Sequence, residues 1–211
     1  MAAQMTALSI MQDAPVIPVI VLHNVEHAVP MAEALLAGGI RVLEVTLRTP
    51  QGLACIEAIA RQLPEAIVGA GTVRNAADAA AAALAGARFA VSPGYTGKLG
   101  QACRDLDLPL LPGVATSSEI MMAQEDGFTE LKFFPAVQSG GIQMLKAWQG
   151  PFGELRFCPT GGISPGTAAE FLALSNVVCV GGSWLVPASA VEAGNWSQIT
   201  DLAKATHALR A

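Results

Sequence analysis

Apolar, β-branched runs of five to eight residues recur along the chain at intervals of about 20 to 25 residues. Each is followed by Gly, Pro, Ser or Thr and then by a segment with helical spacing. The runs cover residues 16–22, 40–47, 66–72, 88–92, 108–113, 130–135, 156–160 and 177–181, which predicts eight strands. Between them the spacing predicts helices, among them 25–37, 52–62, 76–87, 118–125 and 165–174, the last opened by Ser164 as N-cap and Pro165 at the first helical position. Residues 1–13 read as an N-terminal extension or helix. Strands that are apolar throughout and alternate with helices pair in parallel and are buried on both faces. Eight such units in 211 residues predict an α/β chain folded as one closed (β/α)8 (TIM) barrel, a single domain near the lower size limit of that fold. An open doubly wound sheet is the alternative. Pro18, inside the first run, is a mild objection to a strand there, because proline has no N–H for the ladder. No low-complexity linker or charge run marks a domain boundary.

Composition narrows the class. Hydrophobic residues make up 52% and charged residues 14% of the chain, which excludes a disordered polymer. A mean hydropathy of +0.46 raises the question of a membrane span. The longest strongly apolar stretch, 14–22, has nine residues and contains Pro15 and Pro18, too short to cross a bilayer. No Lys or Arg precedes Arg41, so the positive region of a signal peptide is missing and a cytoplasmic location is expected. The net charge of −5 and only 5% aromatic residues leave neither a basic footprint nor stacking rings, so no nucleic-acid partner is expected. Cys55, Cys103, Cys158 and Cys179 lie far apart without a CxxC or HExxH pattern, and read as reduced, buried thiols. His23, His27 and His207 read as surface or capping residues, and no metal set is expected.

In such a barrel the chemistry sits where the strands end. Lys132 is one of four lysines and the one inside a strand-like run. Alternation turns Leu131 and Phe133 toward the helices, and Lys132 and Phe134 into the barrel. An ammonium there is poorly solvated, which favours the neutral, nucleophilic amine. The plainer reading is a lysine snorkelling from a strand end. The same alternation places Glu44, Thr46 and Arg48 on one face, so a carboxylate and a guanidinium enter one site. Here the plainer reading is a structural ion pair of Glu44 with Arg48 or Arg41. Gly69-Ala70-Gly71-Thr72 resembles the start of a dinucleotide fingerprint, but Arg74 stands where the third glycine belongs, so no nicotinamide cofactor is expected. Small residues here leave room for a ligand, with the Thr72 hydroxyl available as a donor. Gly161-Gly162 and Gly181-Gly182-Ser183 follow the seventh and eighth runs, where backbone N–H groups and a hydroxyl make a phosphate site rather than mere tight turns.

Taken together, PVIPVIV, RVLEVTLRT, GAGTV, VSPG, PGVATSSE, LKFFPA, CPTGGIS and VGGSWLVP, running from Pro15 to about Pro187, resemble the 2-keto-3-deoxy-6-phosphogluconate (KDPG) and 4-hydroxy-2-oxoglutarate (KHG) aldolase family. The resemblance implies a class I, Schiff-base aldolase on a (β/α)8 barrel, a homotrimer needing no metal or organic cofactor. It implies cleavage of a phosphorylated keto acid to pyruvate and glyceraldehyde 3-phosphate, a step of the Entner-Doudoroff pathway. It further implies Lys132 as the Schiff-base lysine and Glu44 as the acid/base group. Arg48 and Thr72 would hold the pyruvyl carboxylate, Pro93 and Phe134 would wall the pyruvate pocket, and Thr160 would meet the sugar-chain hydroxyls. Gly161, Gly162, Gly182 and Ser183 would bind phosphate. One departure is Ser117, where family members often carry proline; it falls at a helix start and changes none of this chemistry. A function of another class remains beside this one: a barrel that binds a phosphorylated ligand, as an isomerase or a sensor, without Schiff-base chemistry.

Overall fold

All eight apolar runs form strands in the computed structural model, which describes residues 5–210. They are β1 (Val16–Ile20), β2 (Val42–Thr46), β3 (Ile67–Gly71), β4 (Ala90–Val91), β5 (Leu110–Leu111), β6 (Gly113–Val114), β7 (Glu130–Phe133), β8 (Arg156–Pro159) and β9 (Val180–Gly182). The fifth run is split into β5 and β6 by Pro112, which has no N–H to give a ladder. Every pairing is parallel, in the orders β5-β4-β3-β2-β1-β9 and β6-β7-β8. The two sheets meet at Pro112 on one side. On the other, the parallel bridges Phe157↔Val177 and Thr160↔Gly181 join them, so the ring closes as a barrel and not as an open sheet.

The proline in β1 is accommodated by register. The ladder to β9 ends at Pro18↔Gly182 and the ladder to β2 begins at Val19↔Glu44, so the missing donor falls where one ladder hands over to the other.

Helices α1 (Ala7–Asp13), α2 (Ala28–Ala37), α3 (Gly52–Gln62), α4 (Ala76–Leu84), α5 (Gly97–Asp105), α6 (Ser117–Glu125), α7 (Gly141–Trp148), α8 (Pro165–Leu172), α9 (Ala188–Glu192) and α10 (Trp196–Ala205) surround the strands. The helix predicted over 25–37 is instead a 3-10 turn, Val25–His27, followed by α2. Pro30 explains the shift: a helix begun at residue 25 would need its missing N–H, whereas one begun at Ala28 puts it in the first turn, where donors are unpaired in any case. Ser164 and Pro165 occupy the N-cap and first position of α8 as predicted, and the Ser164 N–H donates to Thr167 Oγ1 at 3.1 Å.

Two apolar layers result. Outward residues such as Leu43, Leu131, Phe133 and Phe157 pack against the helices, and the Trp148 ring meets Phe133 at 4.9 Å and Phe157 at 5.4 Å between centroids. Burying one such ring is worth roughly 1.5 to 3 kcal/mol, which anchors β7 and β8 to α7. Inward residues Ile17, Val42, Phe89, Val91, Leu111, Cys158 and Cys179 form a second cluster with Ile10 and Met11 of α1. The first helix therefore plugs the N-terminal end of the barrel and leaves the other end for chemistry.

Candidate active site

Lys132 and Glu44 are each only 3% exposed. Lys132 Nζ donates to Glu44 Oε1 at 3.2 Å inside the barrel, the alternation in β7 and β2 having turned both side chains inward. The backbone of Lys132 is held by its own N–H, which donates to the Pro112 carbonyl at 2.8 Å. Its ammonium also lies 5.2 Å from the centroid of the Phe134 ring, a distance at which a cation and an aromatic face attract. The ion pair read as Glu44 with Arg48 or Arg41 is therefore corrected. Arg41 pairs with Asp13 on the plugged side of the barrel, and Glu44 pairs with Lys132. A carboxylate this close to an ammonium can take its proton and return it, which is the geometry general acid/base transfer requires.

Arg48 extends past the end of β2, where its Nε donates to Thr72 Oγ1 at 3.2 Å. Thr72 holds a φ of 61°, uncommon for a β-branched residue, and strain of this kind gathers at functional sites. A guanidinium and a hydroxyl are thus brought together at the ends of neighbouring strands, a pair of donors suited to a carboxylate. Thr46 is spent elsewhere, its hydroxyl donating to the Ile20 carbonyl at 2.9 Å. Pro93 follows β4 and Phe134 follows β7, on the same end of the barrel.

The bridge from Thr160 to Gly181 sets the turn at Gly161 and Gly162 beside the end of β9 at Gly182 and Ser183; the second Gly-Gly pair, read from the sequence as a turn, is the end of a strand paired with β1. Gly161 and Gly162 have φ of 103° and 76°, a left-handed turn that aims the chain into α8 and that side chains oppose. The Val137 N–H donates to the Gly161 carbonyl at 3.1 Å and fastens the turn. Thr160 is buried between that turn and the end of β9. Gly161, Gly162, Gly182 and Ser183, the residues named from the sequence for phosphate, thus sit in one place.

A match to the family described as KDPG and KHG aldolase spans residues 8–202. The chain belongs to that family. It is 55% identical over 199 residues to the KHG/KDPG aldolase of Escherichia coli (strain K12), covering 94% of this chain and 93% of that protein. The KDPG aldolase of Legionella pneumophila, solved with pyruvate captured at low pH as a covalent carbinolamine intermediate, superposes with a TM-score of 0.94 at 48% identity, covering 96% of this chain and 98% of that one. The aldolase of Zymomonas mobilis ZM4, solved with 3-phosphoglycerate, gives 0.89 at 46% identity over 95% and 94% of the two chains.

Several residues of this KDPG/KHG aldolase family member carry structure rather than chemistry. Ser117, the departure from the family pattern, opens α6, and its Oγ accepts from Trp148 Nε1 at 3.2 Å. His207 bonds to the Gly38 carbonyl at 2.9 Å, and His27 meets the edge of Trp196, as capping and surface roles predict. All four cysteines are buried, and burial pushes up the thiols of Cys55 and Cys103, the latter to about 11. A cavity of about 390 Å³ lined by Met5, Cys103, Arg104, Leu108 and Phe128 contains none of the candidate site residues. Sequence reasoning missed Ser92, whose buried Oγ accepts from the Gly113 N–H at 3.3 Å beside the break at Pro112. Nothing in its spacing marks it. The reading of Gly69 and Gly71 as room for a ligand is also corrected: Phe89 and Glu44 occupy that space.

Proposed function

We propose that this chain is a class I aldolase that reversibly cleaves 2-keto-3-deoxy-6-phosphogluconate to pyruvate and glyceraldehyde 3-phosphate, and 4-hydroxy-2-oxoglutarate to pyruvate and glyoxylate. The observation that carries the reading is the buried contact of 3.2 Å between Lys132 and Glu44. Glu44 takes a proton from Lys132, and the free amine attacks the C2 carbonyl of the keto acid. Glu44 then returns a proton to the carbinolamine oxygen, which leaves as water, and a protonated imine forms. Removal of the C4 hydroxyl proton sends the C3–C4 electrons into the imine, releasing the aldehyde and leaving a pyruvyl enamine. Protonation at C3 and hydrolysis free pyruvate and regenerate Lys132. The covalent step replaces a free carbanion with an enamine, and it calls on no metal or organic cofactor.

In this reading Arg48 and Thr72 hold the pyruvyl carboxylate, Pro93 and Phe134 wall the pyruvate, Thr160 meets the chain hydroxyls, and Gly161, Gly162, Gly182 and Ser183 take the phosphate. A barrel that merely bound a phosphorylated ligand gains nothing from the buried pair. Desolvating two charges costs as much as their attraction returns, and apolar residues of similar volume would be at least as stable there.

The phosphate assignment separates the two substrates. Ser183→Ala removes one donor to a charged acceptor, worth roughly 1.5 to 3 kcal/mol, or about 10- to 150-fold in kcat/KM. That loss should appear with the phosphorylated substrate and be small with 4-hydroxy-2-oxoglutarate. Equal losses with both would move the phosphate site elsewhere.

The reading extends to a cytoplasmic homotrimer. Buried thiols suit a reducing compartment, and Met121, Met122 and Val137 are large apolar side chains exposed on the single chain, which an interface would cover. Sedimentation should return three times the 21.7 kDa of one chain. A single-chain mass at micromolar concentration would remove the trimer from the proposal.

A further inference from the structure

Glu44 and Gly71 stand at different levels of the barrel. Cα pairing sets Glu44 opposite Gly69 on β3, and Gly71 opposite Thr46. The Glu44 carboxylate nevertheless lies against Gly71, so the side chain leans two residues toward the open end of the barrel, across the neighbouring strand. A Cβ at Gly71 would stand 2.7 Å from Cγ and 2.9 Å from Cδ of Glu44, and closer still to Oε1, the atom that accepts from Lys132. The strand is held in place, so the carboxylate is what would have to move. The Gly71 carbonyl accepts from the Leu47 N–H at 2.8 Å within the parallel ladder, and Glu44 is buried on all sides.

We propose that Gly71 is a positioning residue for the acid/base group: its missing side chain is what allows the Glu44 carboxylate to lie over β3 and reach Lys132. The inference rests on the acid/base reading of Glu44 given above. Gly71 has a φ outside the left-handed region, so the need for glycine here comes from space and not from backbone conformation. The same device recurs at Gly181, where a Cβ would stand 2.8 Å from Cγ2 and 2.9 Å from Cβ of Thr160. Gly69 differs, since a Cβ there would meet the Phe89 ring, with Cδ1 at 2.5 Å, and not a reacting group.

A cycle of Gly71→Ala and Glu44→Ala tests this, with Gly69→Ala as the control for crowding in the barrel. Displacing a catalytic group by about 1 Å can cost 10²-fold, so Gly71→Ala should lower kcat by about that factor with KM little changed, and should slow borohydride trapping of the pyruvate imine in proportion. In the Glu44→Ala background Cγ, Cδ and Oε1, the three atoms that a Cβ at Gly71 would crowd, are absent and no proton transfer is left to misplace, so the same substitution should cost less than about threefold in the residual kcat. Gly69→Ala should leave the pH profile of kcat unchanged. Equal losses from Gly71→Ala in both backgrounds, or a normal kcat for Gly71→Ala while Glu44→Gln is inactive, would overturn the proposal. If Glu44→Gln itself keeps its kcat, the acid/base reading falls and this inference falls with it. Should Gly71→Ala alone fail to fold, a folded double variant supports the proposal and an unfolded one overturns it.

Discussion

Lys132→Arg should abolish cleavage while leaving a folded barrel. Arginine keeps the positive charge that Glu44 faces, but its guanidinium does not lose its proton in proteins and cannot add to a carbonyl. Loss of a covalent nucleophile has cost on the order of 10⁶-fold in kcat in a well-studied hydrolase, and a loss of that scale is expected here. Borohydride added to the unmodified protein with pyruvate should place one stable adduct on Lys132 and none on Lys98, Lys146 or Lys204, which are exposed and lack an acid/base partner at the barrel end. Prolonged EDTA treatment beforehand should not change the yield. An adduct on another lysine, or activity lost to EDTA and restored by a divalent cation, would replace this mechanism with a different one.

Glu44→Gln should lower kcat by about 10² to 10⁴-fold, the usual contribution of general acid/base transfer, since glutamine keeps the shape of the side chain and can neither take nor return a proton. The competing expectation concerns stability. Removing the charge of one member of a buried pair strands the other, and that loss costs about 3 to 5 kcal/mol. The stranded partner here is Lys132 and not Arg48, which changes what the experiment must control. Thermal unfolding and kcat should be measured on the same preparation. A folded variant with kcat reduced by the stated factor assigns the proton transfer to Glu44. A near-normal kcat, or inactivity that tracks the unfolded fraction, takes the role away.

Much of this was legible before any coordinates. Runs that are apolar throughout, alternating with helical spacing, specify parallel strands covered on both faces, and eight of them near this length leave little but a closed barrel. The boundaries were less legible. The helix predicted over 25–37 begins three residues later because Pro30 must sit in a first turn, and the fifth strand is two pieces because Pro112 interrupts its ladder. The short α1 carries too few residues for its spacing to declare a role, and only its packing of Ile10 and Met11 against the barrel interior reveals a plug.

The sequence by itself determined which way Lys132 and Glu44 point, because side chains alternate across a strand with a period of two that is written in each segment independently. It also placed Gly-Gly pairs at the ends of two strands, although the second pair, Gly181 and Gly182, is strand and not turn. Which inward group meets which was decided only by the closed barrel. Glu44 lies 88 residues from its partner Lys132, while Arg48, four residues away, reaches Thr72 and Arg41, three residues away, pairs with Asp13. Local alternation fixes a face, whereas the stagger of neighbouring strands and the closure of the ring fix height and bearing within the barrel. For the same reason Gly71 reads in sequence as space for a ligand and in the structure as space for Glu44.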